Sequence, residues 1–149
     1  MLVKDVMTTD VRTCPPGATV AGAARIMSAR ECGIVPIVDS RRRLVGVITD
    51  RDVCLAIASR VRNPEELPVT DVMTRIAHGC SAEGTVSDAL QVMKRHHVRR
   101  LPVVDAYGQL VGLLSIDDVM AKMDTPADDP IARAVFDTLK SLAAHAVSP

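Results

Sequence analysis

Aromatic residues are almost missing from this 149-residue chain, which has one tyrosine, Tyr107, one phenylalanine, Phe136, and no tryptophan. That removes the stacking platforms a single-strand nucleic-acid binder uses and leaves the core to Val, Ile, Leu, Met and Ala. Net charge is missing too. Eighteen basic residues balance eighteen acidic ones, which argues against a nucleic-acid or membrane-surface partner held by bulk electrostatics. No run approaches the roughly 20 apolar residues that span a bilayer. The start, Met1-Leu2-Val3-Lys4-Asp5, lacks the long apolar stretch of a signal peptide, so a cytoplasmic, reducing setting is expected. The four cysteines stand at 14, 32, 54 and 80 without Cys-x-x-Cys spacing, and no metal ligand set is read from them. No Ser-His-Asp, His-x-x-x-His or Gly-x-x-x-x-Gly-Lys-Ser/Thr pattern is present. No catalytic residue is assigned.

What is present is a duplication. Sliding the chain by 66 positions lays residues 4–57 on 70–123 without a gap. Asp5-Val6-Met7-Thr8 falls on Asp71-Val72-Met73-Thr74, Cys14 on Cys80, Thr19-Val20 on Thr85-Val86, and Asp52-Val53 on Asp118-Val119. A half of this length cannot bury its own apolar face and needs its twin. The division is unit 1 over 1–62, a linker over 63–69 punctuated by Pro64 and Pro68, unit 2 over 70–123, and an extension over 124–149.

Each half predicts the order strand, helix, strand, strand, helix, an α/β (α+β) unit. An extended stretch ends near Cys14 or Cys80. A helix then starts at Thr19 or Thr85, its apolar stripe Val20, Ala23, Ala24 and Met27 recurring as Val86, Ala89, Leu90 and Met93 at i, i+3, i+4, i+7. Residues 34–39 and 101–105 read as a strand whose Pro36 or Pro102 is expected at a start or edge. A turn, basic over 41–43 in the first copy, leads to the next strand of a hairpin. Beyond the duplication, a helix is expected over about 131–145, capped by Asp128 or Asp129. Its stripe of Ile131, Val135, Leu139, Leu142 and Ala146 needs a surface, on its own module or on a partner subunit.

The stretch that ends each half is Gly46-Val47-Ile48-Thr49-Asp50-Arg51-Asp52-Val53 and Gly112-Leu113-Leu114-Ser115-Ile116-Asp117-Asp118-Val119. Each is a strand running into a helix at a hydroxyl residue. Free N–H groups at such a corner suit a phosphate, and a carboxylate three residues on can accept bonds from ribose hydroxyls. The same spacing is also a capping box, and Thr85-Val86-Ser87-Asp88 repeats it at another helix start.

Taken together and in duplicate, Asp-Val-Met-Thr, the Pro-Val/Ile-Val-Asp strand and the Gly-h-h-Thr/Ser-x-x-Asp-Val ending (h apolar) resemble the cystathionine-β-synthase (CBS) domain family, as a tandem pair over about 1–123. The resemblance implies two β-α-β-β-α units about a pseudo-two-fold axis, plus the C-terminal helix, with two clefts between the units. It implies adenosyl ligands there: AMP, ADP, ATP, NAD or S-adenosylmethionine, regulatory rather than catalytic. By motif position Asp52 and Asp118 hold ribose hydroxyls, Thr49 and Ser115 touch phosphate, and Arg51 pairs with it. Thr13, Cys14, Gly79 and Cys80, with Ile34, Val35 and Leu101, enclose adenine. Asp117 stands where Arg51 would be, and Arg99 and Arg100 supply positive charge in its place.

A sensor module follows, signalling through a homodimer or an unidentified regulated protein. The alternative is a ligand-free dimeric interaction or stress-response scaffold. A third reading makes Cys14 and Cys80 a thiol or zinc device. His96 and His97, adjacent on a helix, point about 100° apart and do not share one ion easily.

Overall fold

The computed structural model of the chain describes residues 1–59, 62–75, 78–123 and 129–147, the last without its side chain. Its elements are α1 (Val20–Arg30), β1 (Ile34–Val38), β2 (Leu44–Thr49), α2 (Asp50–Ser59), β3 (Cys80–Ser81), α3 (Val86–His96), β4 (Arg100–Val104), β5 (Leu110–Ser115), α4 (Ile116–Lys122) and α5 (Pro130–Val147). Single 3-10 turns precede each half, at Val3–Asp5 and Val69–Asp71. The α+β architecture with a C-terminal helix is the expected one.

The contacts gather these elements into two compact units that are not the two linear repeats. One, called here the Thr49 unit, holds residues 12–77 with 108–110. The other, the Ser115 unit, holds 1–11, 78–107 and 111–149. Each repeat therefore lends its opening segment to the other's body. Leu2 bridges to Thr85 and Thr8 to Leu113, while Pro68 bridges to Thr19 and Thr74 to Val47. Val3 and Val69, both fully buried, anchor the two segments, each burial stabilising by about 1.5–3 kcal/mol at most.

Glycine makes the docking possible. A Cβ on Gly46 would lie 2.8 Å from both Met73 Sδ and Thr74 O, and one on Gly112 would lie 2.7 Å from Met7 Sδ and 2.9 Å from Thr8 O. Only a residue without a side chain lets the backbones approach so closely.

In the Thr49 unit, β1 pairs antiparallel with β2, Ile34 opposite Thr49, and Cys14 bridges parallel to Ile37 on the other side of β1. The expected first strand is thus a single bridge here and the two residues of β3 in the other unit. Pro36 lies within β1, an outer strand of its two-stranded sheet, as expected, whereas Pro102 departs from expectation by lying inside β4, the middle strand of its sheet. A short parallel pairing beside each explains why both are tolerated. Cys14 N donates to Pro36 O and Val38 N donates to Cys14 O. The donor that proline lacks falls just beyond the end of that short pairing.

Thr19 caps α1 by accepting from Gly22 N at 3.1 Å, and Thr85 caps α3 by accepting from Asp88 N at 3.1 Å. Cys14, Val20, Ala23, Met27, Val35, Ile37 and Ile48 form the heart of one core. Val86, Leu90, Met93, Leu101, Val103, Leu114 and Ile116 form the heart of the other. The stripe of α5 finds its surface within its own unit. Val135 is buried there, with Ile131, Leu139 and Leu142 packed alongside, while Ala146 is exposed. Asp129 accepts from Ile131 N at 2.8 Å and starts the helix; the alternative cap, Asp128, lies outside the described residues. Among the described residues, no helix is long and apolar enough to cross a membrane.

Candidate functional site

Each corner gathers its own set of predicted residues inside one unit. Around Thr49 stand Asp52 and Arg51 on α2, Ile34 directly across the hairpin, and Thr13 and Cys14 on the far side of β1. Around Ser115 stand Asp118, then Arg99, whose carbonyl accepts from Ile116 N at 3.1 Å, and Arg100 and Leu101 in β4. Gly79 and Cys80 lie beside Pro102.

Both aspartates fold back onto their own helix start. Thr49 N and Thr49 Oγ1 each donate to Asp52 Oδ2 at 2.8 Å, and Asp52 N donates to Thr49 Oγ1 at 3.2 Å. In the second copy Ser115 N donates to Asp118 Oδ2 at 2.8 Å, Ser115 Oγ donates to the same oxygen at 2.6 Å, and Asp118 N returns a bond to Ser115 Oγ at 3.0 Å. The capping reading is therefore realised in full at both sites. It consumes one carboxylate oxygen, Oδ2, in each case. A carboxylate offers about four lone-pair positions on two oxygens, so Oδ1 stays available. Among the described residues Asp52 Oδ1 has no partner, and Asp118 Oδ1 accepts one long bond, from Thr8 Oγ1 at 3.4 Å. Thr8 is a contact that the sequence reading missed, although its motif, Asp-Val-Met-Thr, opens both repeats.

The expectation of free backbone donors holds less well. At the Thr49 corner Asp50 N donates to Gly33 O at 3.2 Å, Arg51 N to Asp50 Oδ1 at 2.8 Å, and Asp52 N to Thr49 Oγ1. The first turn of α2 is already satisfied. At the Ser115 corner Ile116 replaces Asp50 and offers no side-chain acceptor, so Asp117 N keeps no partner among the described residues. The charges differ too. The Asp50 carboxylate lies against Gly33, where the other unit carries Arg99.

A cavity of about 190 Å³ opens beside Asp52, lined by Leu55, Ala56, Ser59, Asp71 and Val72. Thr49 and Asp52 are half-buried and Arg51 is exposed, as are Arg99 and Arg100. Ile34, Val35 and Leu101 are buried, the last two completely and as members of the cores. Burial raises the Cys14 thiol above its ordinary value and pushes Cys80 up to about 11, so neither is a thiolate near neutral pH. No group of three or more His, Cys, Asp or Glu among the described residues is placed to hold a metal ion.

The family model for the CBS domain matches residues 3–59 and again 69–125. A CBS domain-containing protein of Bacillus subtilis, YhcV, is 37% identical over 117 residues, covering 78% of this chain and 81% of its own length. Among solved structures, the CBS domain pair of protein MJ0100 in complex with 5-methylthioadenosine and S-adenosyl-L-methionine superposes with a TM-score of 0.73 at 27% identity, over 81% of this chain and 94% of that one. CBSX2 in complex with AMP superposes with a TM-score of 0.69 at 27% identity, over 80% of this chain and 93% of that one.

Proposed function

The chain belongs to the CBS domain family as two repeats in tandem, and from that premise we propose that it is a non-catalytic regulatory module that binds an adenosyl ligand. The observation that carries this reading is the division of labour within each corner carboxylate. Oδ2 of Asp52 and of Asp118 holds the helix cap, while Oδ1 is left to accept a ribose hydroxyl. Cap and ligand seat coexist on one side chain. Thr49 and Ser115 keep a lone pair but direct their protons to the carboxylate, so phosphate contact falls to Arg51 in one unit and to Arg99 and Arg100 in the other. Relatives of similar fold hold AMP, S-adenosylmethionine and methylthioadenosine, which supports the ligand class without selecting a member. The module then signals by favouring one arrangement of a homodimer or of a regulated partner, which requires unequal affinity for the two arrangements. Free thiols suit a cytoplasmic setting.

Calorimetry with AMP, ATP, NAD and S-adenosylmethionine tests the proposal. At least one should bind wild type, and Asp52→Ala should weaken it roughly tenfold or more, the worth of hydrogen bonds to a charged acceptor. Silence from wild type with all four ends the reading. The saturated first turn of α2 favours a second one, a ligand-free scaffold that dimerises through exposed apolar positions such as Leu55 and Ile57 on α2. Dimers that persist without nucleotide, and melt unchanged in its presence, would select it.

A further inference from the structure

All four histidines of the chain fall in the Ser115 unit, and all four are paired face to face. His78, ahead of β3, stacks on His96, the last residue of α3, with ring centroids 3.4 Å apart and planes inclined by 15°. His97, the C-cap of α3 at φ 53°, stacks on His145 near the end of α5, with centroids 4.0 Å apart and planes inclined by 11°. Stacked rings keep their in-plane lone pairs in separate, near-parallel planes rather than aimed at a common point, so the stacks do not chelate. They join three pieces of chain at one place: the approach to β3, the end of α3 and the end of α5.

Two neutral imidazoles stack as small aromatic rings. The first proton on a pair is accommodated, since α3 ends here and a helix C-terminus favours positive charge. A second proton sets like charges within 4.0 Å of one another. The surroundings add to the repulsion. The charged and titratable groups on the elements packed there are Asp88, Lys94 and Arg95 on α3, Cys80 in β3, and Arg99 and Arg100 at β4. On α4 they are Asp117, Asp118 and Lys122, and on α5 they are Arg133, Asp137 and Lys140. Lys94 and Arg95, in the same last turn as His96, are both cationic.

We propose that the two stacked pairs are an acid-sensitive latch, closed at neutral pH and opened by double protonation, which releases the last turns of α5 from the end of α3. Opening uncovers Leu139 and Leu142, which close the apolar core beneath α5. Burial, then the His78 charge, then Arg95 and His97, hold the His96 imidazole below its ordinary value. A lowered histidine value means the closed form binds fewer protons than the open one. Closure is therefore fully favoured above the ordinary value of about 6.5 and lost as pH falls below it.

NMR of the four imidazoles from pH 8 to 5, with amide exchange along α5, tests the latch. His96 should titrate below its ordinary value. Amides over 139–146 should exchange roughly fivefold faster at pH 5.5 than at pH 7 after correction for the intrinsic rate, the scale of two charges at this distance in water. A His97→Phe/His145→Phe double variant keeps a stack that cannot charge, and a His78→Phe/His96→Phe pair added to it removes the response altogether. Titration of His96 at its ordinary value overturns the proposal. So does equal α5 protection at both pH values in wild type, or loss of protection on acidification in the quadruple phenylalanine variant.

Discussion

The two strand-to-helix corners repeat one backbone and two different distributions of charge. Asp50 N meets Gly33 O at 3.2 Å, and Ile116 N meets Arg99 O at 3.1 Å. The capping bonds of Asp52 and Asp118 agree to within 0.2 Å. Yet one corner carries Asp50, Arg51 and Asp52, and the other Ile116, Asp117 and Asp118 with Arg99 alongside. What the fold requires is the cap and the close backbone contact. Charge at the rim is free to differ. The comparison extends to the opposite helix ends, where Arg12, Arg30 and Glu31 occupy the positions that His78, His96 and His97 hold in the second repeat. Only one repeat carries histidines there.

The comparison breaks first where backbones touch. Gly46→Ala and Gly112→Ala each place a methyl against a main-chain oxygen under 3.0 Å away, and neither Thr74 O nor Thr8 O can swing aside. Each should cost about 2–3 kcal/mol in urea unfolding, while Gly17→Ala, with nothing within 4 Å, should stay within about 0.5 kcal/mol of wild type. If the two variants differ widely, the exchanged opening segments do not contribute equally and the symmetry of the units is only formal.

That exchange was not legible in the sequence, although the repeat itself was. An offset of 66 and apolar stripes at helical spacing depend on local pattern, so helices starting at Thr19, Thr85, Thr49 and Ser115 could be placed directly. Which body Val3 or Val69 enters depends on contacts far along the chain, such as Val3 N with Gly84 O and Val69 N with Ala18 O, and no local pattern encodes the partner. The place of Pro102 was hidden for a related reason. Its missing donor matters only if a neighbour strand extends past it, and the pairing with β3 starts only at Val103. The residues named for each corner fall within one unit. The capping geometry of Asp52 and the approach of Thr8 to Asp118 needed side-chain positions to be seen.

Intermediate effects separate cap from seat. Asp52→Ala and Asp118→Ala should each lose about 1 kcal/mol of stability, the worth of an N-terminal cap. Asp118→Ala should lose a few tenths more, because Thr8 Oγ1 also gives up its acceptor. The asparagine variants retain an acceptor oxygen and should recover most of that stability, but they should recover less of the ligand affinity, since a neutral amide accepts ribose hydroxyls less strongly than a carboxylate. Chemical unfolding and calorimetry on the same four proteins read the two quantities apart. Parallel losses of both throughout the series would mean that the affinity change merely reports the weakened helix.

The smallest effect lies in the hairpin turns. In the Thr49 unit, Asp39 Oδ1 accepts from Arg41 N and Arg43 N, each at 2.9 Å, and its Oδ2 accepts from Arg43 Nε at 2.9 Å. The basic run over 41–43 is thus wound around one carboxylate. The main-chain bond from Arg43 does most to hold that carboxyl below its ordinary value, with the Arg43 guanidinium and Arg41 N adding to it. A depressed carboxyl stabilises the fold above the ordinary value of about 3.8 and stops doing so as pH falls below it. Between pH 5 and pH 3, wild type should therefore lose slightly more thermal stability than Asp39→Asn, which has no proton to take up there. Arg42, between the two bonded arginines, sits at φ 61°, whereas the equivalent place in the other hairpin is Gly108 at φ 74°. Left-handed backbone costs a side-chain-bearing residue about 1 kcal/mol, so Arg42→Gly should stabilise by a few tenths to about 1 kcal/mol, the gain trimmed by the greater freedom of glycine in the unfolded chain. A loss instead would show that the long bond from Arg42 Nη2 to Leu110 O, 3.4 Å, holds that turn more firmly than its length implies.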